Sequence, residues 1–427
     1  VYHRIILKFY IKSTLIFKHF SNKPMRNLEL FSGAGGLAAG FSLAGFEHCA
    51  MVEHQKDACE TLRYNYPQTS IFEGDVRNFD FNTLSDVDVI TSGPPCQPFS
   101  LGGKHQGYQD TRDMFPAAVQ AIRTLAPKAF VLENVKGLLR SNFKPYLDYI
   151  LLQLTYPEVE IIKNEPWQSH YTRLLALTPH TYQGLGYSVS YQLMNAADYG
   201  VPQIRERVFI VGIRTDLACQ WQFPTPTHDV DALKWIQYVE TDYWDRLSTP
   251  VPESIKAQIH MVGTRLKRKY GLFAPPLKPW VTLREAISDL PCPESSPHYH
   301  PDHYFRAGAK IYQGHTGSYI DLPSKTIKAG NHGVPGGENM IRWETGDVRY
   351  LTILEAKRLQ TFSDDYHISG VWSEAMRQLG NAVPVKLAQI LANALMACLQ
   401  TATPLLRRGR PPEPLACANV SSISNQN

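Results

Sequence analysis

Apolar residues fall along the chain in short runs separated by longer stretches of helical spacing, a pattern that predicts strands alternating with helices. Asn27-Leu28-Glu29-Leu30-Phe31 reads as a strand, Ser32-Gly33-Ala34-Gly35-Gly36 as a turn, and a helix begins near Leu37. Further strands are predicted at 48–52, 70–73, 88–91 and 129–132, with a helix at 113–125. Polar alternation through Val201-Pro202-Gln203-Ile204-Arg205-Glu206-Arg207 gives way to another strand that reaches Gly212. Near the end, Thr352 and Glu355 form a capping box at the start of an apolar-faced helix, and 385–399 is a second, strongly apolar one. Buried strands interleaved with helices predict an α/β chain with a mostly parallel central sheet.

Composition narrows this only a little. The chain has 427 residues with 43% hydrophobic content, enough for two domains and their cores, and is neither disordered nor fibrous. The formal charge is +4, but Arg4, Lys8, Lys12, Lys18 and Lys23 lie in a first stretch without acids and outweigh it, so net charge is silent on nucleic acid. Cys49, Cys59, Cys96, Cys219, Cys292, Cys398 and Cys417 are scattered without a C-x-x-C pair, which argues against disulfides and a zinc cluster and fits a reducing cytoplasm. His298, His300 and His303 have ligand-like spacing but no cysteine partners, and read as a surface loop. No apolar run reaches membrane-spanning length. Residues 1–25 start with Val and end at Met25, just before the first strand, and read as an extension outside the core.

Candidate chemistry gathers at strand ends. Glycines after the first strand let backbone N–H groups approach a ligand at a helix N-terminus, a device that dinucleotide enzymes share. Glu53, closing the second strand twenty residues after Gly33, can accept both hydrogens of a ribose diol, and Asp75 can accept from an adenine amino group. The fourth strand runs into Gly93-Pro94-Pro95-Cys96-Gln97-Pro98-Phe99-Ser100, where three prolines stiffen the loop and aim the Cys96 sulfur. A thiol with a pKa of about 8.5 is mostly protonated at neutral pH, so it needs cationic neighbours, and Arg205 and Arg207 are the candidates. Glu133, in Glu133-Asn134-Val135, places a second reactive group at a strand end.

That proline-cysteine loop resembles the nucleophile loop of the DNA cytosine-5 methyltransferases, of the kind found in bacterial type II restriction-modification systems. The resemblance extends over roughly 26–400 through Phe31-x-Gly33-x-Gly35, Glu53, Gly74-Asp75, Glu133-Asn134-Val135, Gln203-x-Arg205-x-Arg207, Arg349-x-Leu351-Thr352 with its helix, and Gly380-Asn381-Ala382-Val383. It implies an S-adenosylmethionine-dependent methyltransferase (Rossmann-like) fold with a smaller target-recognition domain, and an enzyme that makes 5-methylcytosine and releases S-adenosyl-L-homocysteine. In that family the cysteine attacks C6 of the base and the glutamate holds and protonates the ring nitrogen N3, which would make Cys96, Glu133 and Arg207 catalytic. The cofactor contacts carried over are Phe31, Gly33, Ala34, Gly35, Gly36, Glu53, Asp75, Val76, Pro94, Met114, Asn381 and Val383; the DNA contacts are Gln97, Ser100, Gln203, Arg205, Arg207 and Thr326; no metal is implied.

The chemistry explains the demand for two groups. C5 of cytosine is a poor nucleophile until a thiolate adds at C6, and the charge this puts on the ring needs a proton donor near N3. A stacked base cannot reach the thiol, so the cytosine must swing out into a cleft between two lobes. The sequence names no base for the final loss of the C5 proton, and water is the expectation.

The implied partner is double-stranded DNA, with the protein a cytoplasmic bacterial monomer that can pair functionally with a restriction endonuclease and has no membrane association. Domain boundaries are expected at 1–25 for the extension, 26–235 for the large domain, 236–376 for the small one, 377–400 for a return to the first, and 401–427 for a disordered tail. Within these, Gly102, Gly103 and Gly107 suit a closing loop, 136–200, including the motif-free 155–179, reads as a surface insertion, Thr264-Arg265-Leu266-Lys267-Arg268-Lys269-Tyr270 is the densest basic run, and Arg408-Gly409-Arg410-Pro411 resembles a minor-groove hook. Three rivals stay open: a tRNA cytosine-5 methyltransferase, against which stands the missing Cys-Phe-Thr triplet; a non-catalytic DNA-binding relative; and a nicotinamide oxidoreductase, which the glycine turn alone would allow.

Overall fold

The computed structural model describes residues 23–95, 113–178, 181–296, 298–329 and 339–404. From the first strand, β1 (Arg26–Leu30), the chain passes into α1 (Gly36–Leu43), β2 (Glu47–Glu53), α2 (Lys56–Asn65), β3 (Ser70–Glu73) and β4 (Val89–Ser92). Then come α3 (Phe115–Leu125), β5 (Ala129–Val135), α4 (Lys144–Thr155), α5 (Trp167–Leu175), β6 (Tyr187–Asn195) and β7 (Glu206–Arg214). These strands form one sheet in the order β3-β2-β1-β4-β5-β7-β6. The first five in that order run parallel to one another, and β7 runs antiparallel to both β5 and β6.

Successive side chains of a strand point to opposite faces, and both faces of this sheet are covered, so its central strands carry apolar residues on each side. Leu28, Leu30, Ile90, Phe130, Leu132, Val208 and Ile210 enter one core beneath α3 and α4. Val89, Val131, Phe209, Val211 and Ile213 face the other, where Leu37 and Phe41 of α1 pack. Because the chain departs from the β1–β4 centre in both directions, the C-terminal ends of these two strands border a crevice, the usual ligand position in such sheets.

The second lobe begins with β8 (Leu217–Ala218) and β9 (His228–Asp229), then four helices, α6 (Val230–Tyr238), α7 (Asp242–Arg246), α8 (Glu253–Lys256) and α9 (Ile259–Tyr270), and β10 (Lys278–Pro279). β9 and β10 pair in parallel, so the helices between them form an excursion closed at its root. It has small cores of its own, one around Leu233, Tyr243 and Trp244 and one around Trp235, Val262 and Leu266. After α10 (Leu283–Ile287) come β11 (Ser318–Tyr319), β12 (Met340–Arg342) and β13 (Val348–Tyr350), a three-stranded sheet, followed by α11 (Ile353–Leu359) and α12 (Trp372–Asn381). α13 (Val385–Thr401) returns to the first lobe, burying Leu387, Leu391, Leu395 and Leu399 in the core that α1 also faces, and β14 (Thr403–Pro404) pairs with β8.

Several expectations are corrected here. The boundaries expected at 235/236 and 376/377, placed by where the motifs stop and resume, fall inside α6 and α12. The stretch 155–179 is not a surface appendage: Tyr156, His170 and Leu174 are buried, and His170 bonds Tyr149 Oη at 2.8 Å and the Val159 carbonyl at 2.8 Å. His303 is also buried rather than in a surface loop, holding Thr352 Oγ1 at 3.0 Å and the Pro291 carbonyl at 2.8 Å. Cys219 and Cys398 form a disulfide with Cα atoms 5.9 Å apart; at a sequence separation of 179, spacing gave no sign of it. Residues 1–22 of the extension, the glycine-rich loop after Cys96 and the tail beyond 404 lie outside the described residues, while Thr401 ends α13 and Thr403–Pro404 form β14 within the stretch expected to be disordered.

Candidate active site

A cavity of about 480 Å³ opens at the ends of β1, β2, β4 and β5, within the size range of small-molecule sites. Its walls include Phe31, Gly33, Gly36, Glu53, Pro94, Glu133, Arg207, Asn381 and Val383. Nine of the residues singled out in the sequence therefore meet in one place, although they come from five strand ends, the last residue of α12 and the turn that follows it.

The glycine turn is built for close approach. Gly33 has φ +53° with nothing within 4 Å of where a side chain would start, and its N–H donates to Glu53 Oε2 at 2.8 Å. A Cβ on Gly36 would lie 2.2 Å from the Val383 carbonyl oxygen, so the entry to α1 admits the returning chain only because this residue has none.

Glu53 is the most firmly held carboxylate of the site. Its Oε1 accepts from the N–H groups of His54 and Gln55, each at 2.8 Å, and lies 3.1 Å from His54 Nδ1. Burial alone would raise its pKa, but the hydrogen bonds from His54, Gln55 and Gly33 outweigh burial and hold it below the ordinary value. Oε2 carries one protein donor and retains a free lone pair beside the cavity.

At the other end, Glu133 and Arg207 form an ion pair at 2.7 Å, with side chains only 12% and 14% exposed. Desolvation raises the Glu133 pKa against the pull of Arg207 and Arg205, so the carboxyl keeps its proton more readily than one in water. Gly93 faces this carboxyl, with a virtual Cβ 3.7 Å from Glu133 Oε2, and the Asn134 amide donates to the Pro94 carbonyl at 3.3 Å. Pro94 and Pro95 thus bring the chain to the cavity wall immediately before Cys96. Cys96, Gln97 and Ser100 themselves lie outside the described residues.

Other expected contacts fall elsewhere. Ala34 and Gly35 do not line the cavity; the Ala34 carbonyl accepts from Tyr366 Oη at 2.7 Å, so this edge of the turn faces the second lobe. Asp75 is held by the Arg77 backbone N–H and guanidinium, which push its pKa down to about 2, and neither it nor Val76 or Met114 borders the cavity. Gln203 and Arg205, expected at the DNA surface, are buried at 0% and 1% exposure. Gln203 bonds the Ile327 N–H and Gln360, and Arg205 donates to the carbonyls of Ile327 and Gly380. They join the lobes from within, because backbone carbonyls of the second lobe take up the donors that alternation had aimed at a ligand. Thr326 donates to the Ile204 carbonyl at 2.8 Å on the same seam.

Sequence reasoning missed Glu29, His54 and Arg377, all of which line the cavity. Glu29 is buried, with a pKa raised to about 8 mainly by desolvation, and lies 3.3 Å from Thr91 Oγ1. The available signal was an acid flanked on both sides by the leucines of a buried strand. Among the described residues no cluster of side chains could hold a metal ion.

The C-5 cytosine-specific DNA methylase family pattern matches residues 25–156 and 170–397. The chain is 33% identical over 385 residues to the type II methyltransferase M.PspPI of Psychrobacter sp., covering 88% of this chain and 80% of that protein. It is 32% identical over 390 residues to M.Eco47II of Escherichia coli (89% and 80%), and 30% identical over 374 residues to M.NgoMIV of Neisseria gonorrhoeae (88% and 98%). The fold is shared with the solved Dnmt2 methyltransferase of S. pombe, at 16% identity and a TM-score of 0.54 over 88% of this chain and 99% of that one. It is also shared with a mutant of Spodoptera frugiperda DNMT2, at 18% and 0.52 over 87% and 99%.

Proposed function

The chain belongs to the C-5 cytosine-specific DNA methylases, and from that premise we propose that it methylates C5 of a cytosine swung out of a specific duplex sequence, through a covalent bond between Cys96 and C6. The observation that carries this reading is the half-buried Glu133–Arg207 pair in the same cavity as Glu53 and the glycine turn.

The residues present fit S-adenosylmethionine. Glu53 offers carboxylate oxygen to a ribose diol, Gly33 leaves open space above the turn, and Phe31, Asn381 and Val383 supply further walls. Bound there, the cofactor supplies an electrophilic methyl group. Every other demand falls on the chain. Cys96, as thiolate, adds to C6; Glu133 delivers a proton to N3, for which its raised pKa suits it; Arg207 fixes the Glu133 carboxyl. Loss of the C5 proton then lets the sulfur leave. The stiff Pro94-Pro95 approach serves the first step, and closure of the lobes about the extruded base keeps water from the adduct.

Resemblance to type II methyltransferases along nearly the whole chain supports a role as the modification partner of a restriction endonuclease, acting on duplex DNA as a monomer in a bacterial cytoplasm. Labelled methyl from the cofactor should enter duplex DNA and not a tRNA transcript, and Cys96→Ala should abolish transfer. A duplex containing 5-fluorocytosine should trap a protein–DNA adduct. Transfer by the alanine variant, or no adduct with the wild type, would overturn the mechanism, and bisulfite sequencing of host DNA identifies the target.

A further inference from the structure

The excursion from α6 to α9 is not accounted for by the cavity, and its charge is strongly segregated. Between residues 229 and 253 there are six acids and two cations, whereas 254–284 hold seven cations and no acid. α9 buries Val262, Gly263 and Leu266 against α6 and turns the opposite face to solvent. On that face Met261, Arg265 and Arg268 follow one another at helical spacing, with Lys267 beside them. Lys269 is tied to Asp231 at 2.7 Å; Arg265, Lys267 and Arg268 are exposed and form no ion pair among the described residues. Just past the helix, Leu272 and Phe273 stand 91% and 80% exposed ahead of Pro275-Pro276.

The excursion is rooted beside the seam between the lobes. Gln237 donates to the Asp321 carbonyl at 2.8 Å and Tyr243 Oη to Asp321 Oδ1 at 2.9 Å, two residues before Pro323. Trp280 Nε1 reaches Asp198 Oδ1 of the first lobe at 3.0 Å, and Ser324 bridges to Gln203. The excursion is thus rooted on both sides of the seam and carries the cationic helix with it, and DNA whose base enters at the seam is the polyanion those exposed cations would meet.

We propose that α9 is a second DNA-binding surface, in which Arg265, Lys267 and Arg268 hold backbone phosphates outside the base-reading contacts and Leu272-Phe273 form an apolar tip against the sugars. This rests on the reading of the chain as a DNA-acting enzyme. Each phosphate neutralised contributes about 0.9 to the slope of log affinity against log salt, so the surface should account for roughly 2.7 of it.

The test compares wild type, R265Q/K267Q/R268Q and L272S/F273S on a fluorescent mixed-sequence duplex of about 40 base pairs and on one of about 12, across ~50–200 mM salt. On the long duplex the triple variant should lose about 2.7 from the slope and bind at least tenfold more weakly, with kcat at saturating DNA unchanged. The tip variant should bind more weakly at unchanged slope, and on the short duplex the three proteins should converge. An unchanged slope for the triple variant overturns the proposal while leaving the enzyme's function intact. So does an unchanged slope accompanied by lost self-association, which would assign the face to a protein contact. Failure of the wild type to bind either duplex overturns both readings.

Discussion

Glu133 concentrates the chemistry in one carboxyl. Burial lifts its pKa and Arg207 opposes this, so Glu133→Gln should keep the shape of the site yet lower kcat by about 10²–10⁴-fold, the usual worth of general acid catalysis, with little change in cofactor affinity. Rapid-quench methyl transfer beside a thermal-shift titration with S-adenosylmethionine separates the two effects. Glu29 predicts a pH effect on stability instead. Its folded pKa of about 8 lies above that of an unfolded glutamate, so the native state binds the extra proton between about pH 4.5 and 8. That stabilisation is complete below the unfolded pKa and is lost as pH rises through 8. Glu29→Gln should therefore flatten the decline in Tm between pH 6 and 9 seen for the wild type, as scanning calorimetry would show. An unchanged decline would assign it to other groups.

At the scale of elements, the glycine turn and α13 depend on each other. Gly36→Ala would push a methyl group into the Val383 carbonyl, separating α1 from the returning chain, and should weaken cofactor binding at least tenfold in the same titration. Much of this arrangement was legible in sequence, for identifiable reasons. Strands such as Val89–Ser92 are buried on both faces, so Val89 and Ile90 stand side by side, and Thr352 with Glu355 announces a helix by chemistry confined to four residues. What was not legible depends on distant partners. Alternation through 203–207 correctly separated Gln203, Arg205 and Arg207 from their neighbours, but only the fold shows that the first two meet backbone carbonyls while the third meets Glu133. Tyr366 against the glycine turn, and Cys219 against Cys398, join positions too far apart for local pattern to reveal.

For the molecule as a whole, the two lobes are joined by buried polar contacts rather than by apolar packing alone. Arg205→Ala would leave the Ile327 and Gly380 carbonyls without their donor, at about 1–3 kcal/mol for each unmet buried group. A Tm lower by several degrees is expected in differential scanning fluorimetry, with KM for DNA rising because 327 adjoins the segment of Thr326. A wild-type Tm in this variant would show that the seam is held by other means. The first turn of the chain is completed by some of its last residues: Ala34 meets a tyrosine 332 positions later, and Gly36 lies under Val383. A polypeptide still emerging from the ribosome thus already carries the thiol and the glutamate yet has no finished pocket to supply them. Emergence of the segment through Val383, rather than synthesis of the nucleophile, is the step that first equips the chain to mark a genome, and products stopped before that segment should be silent.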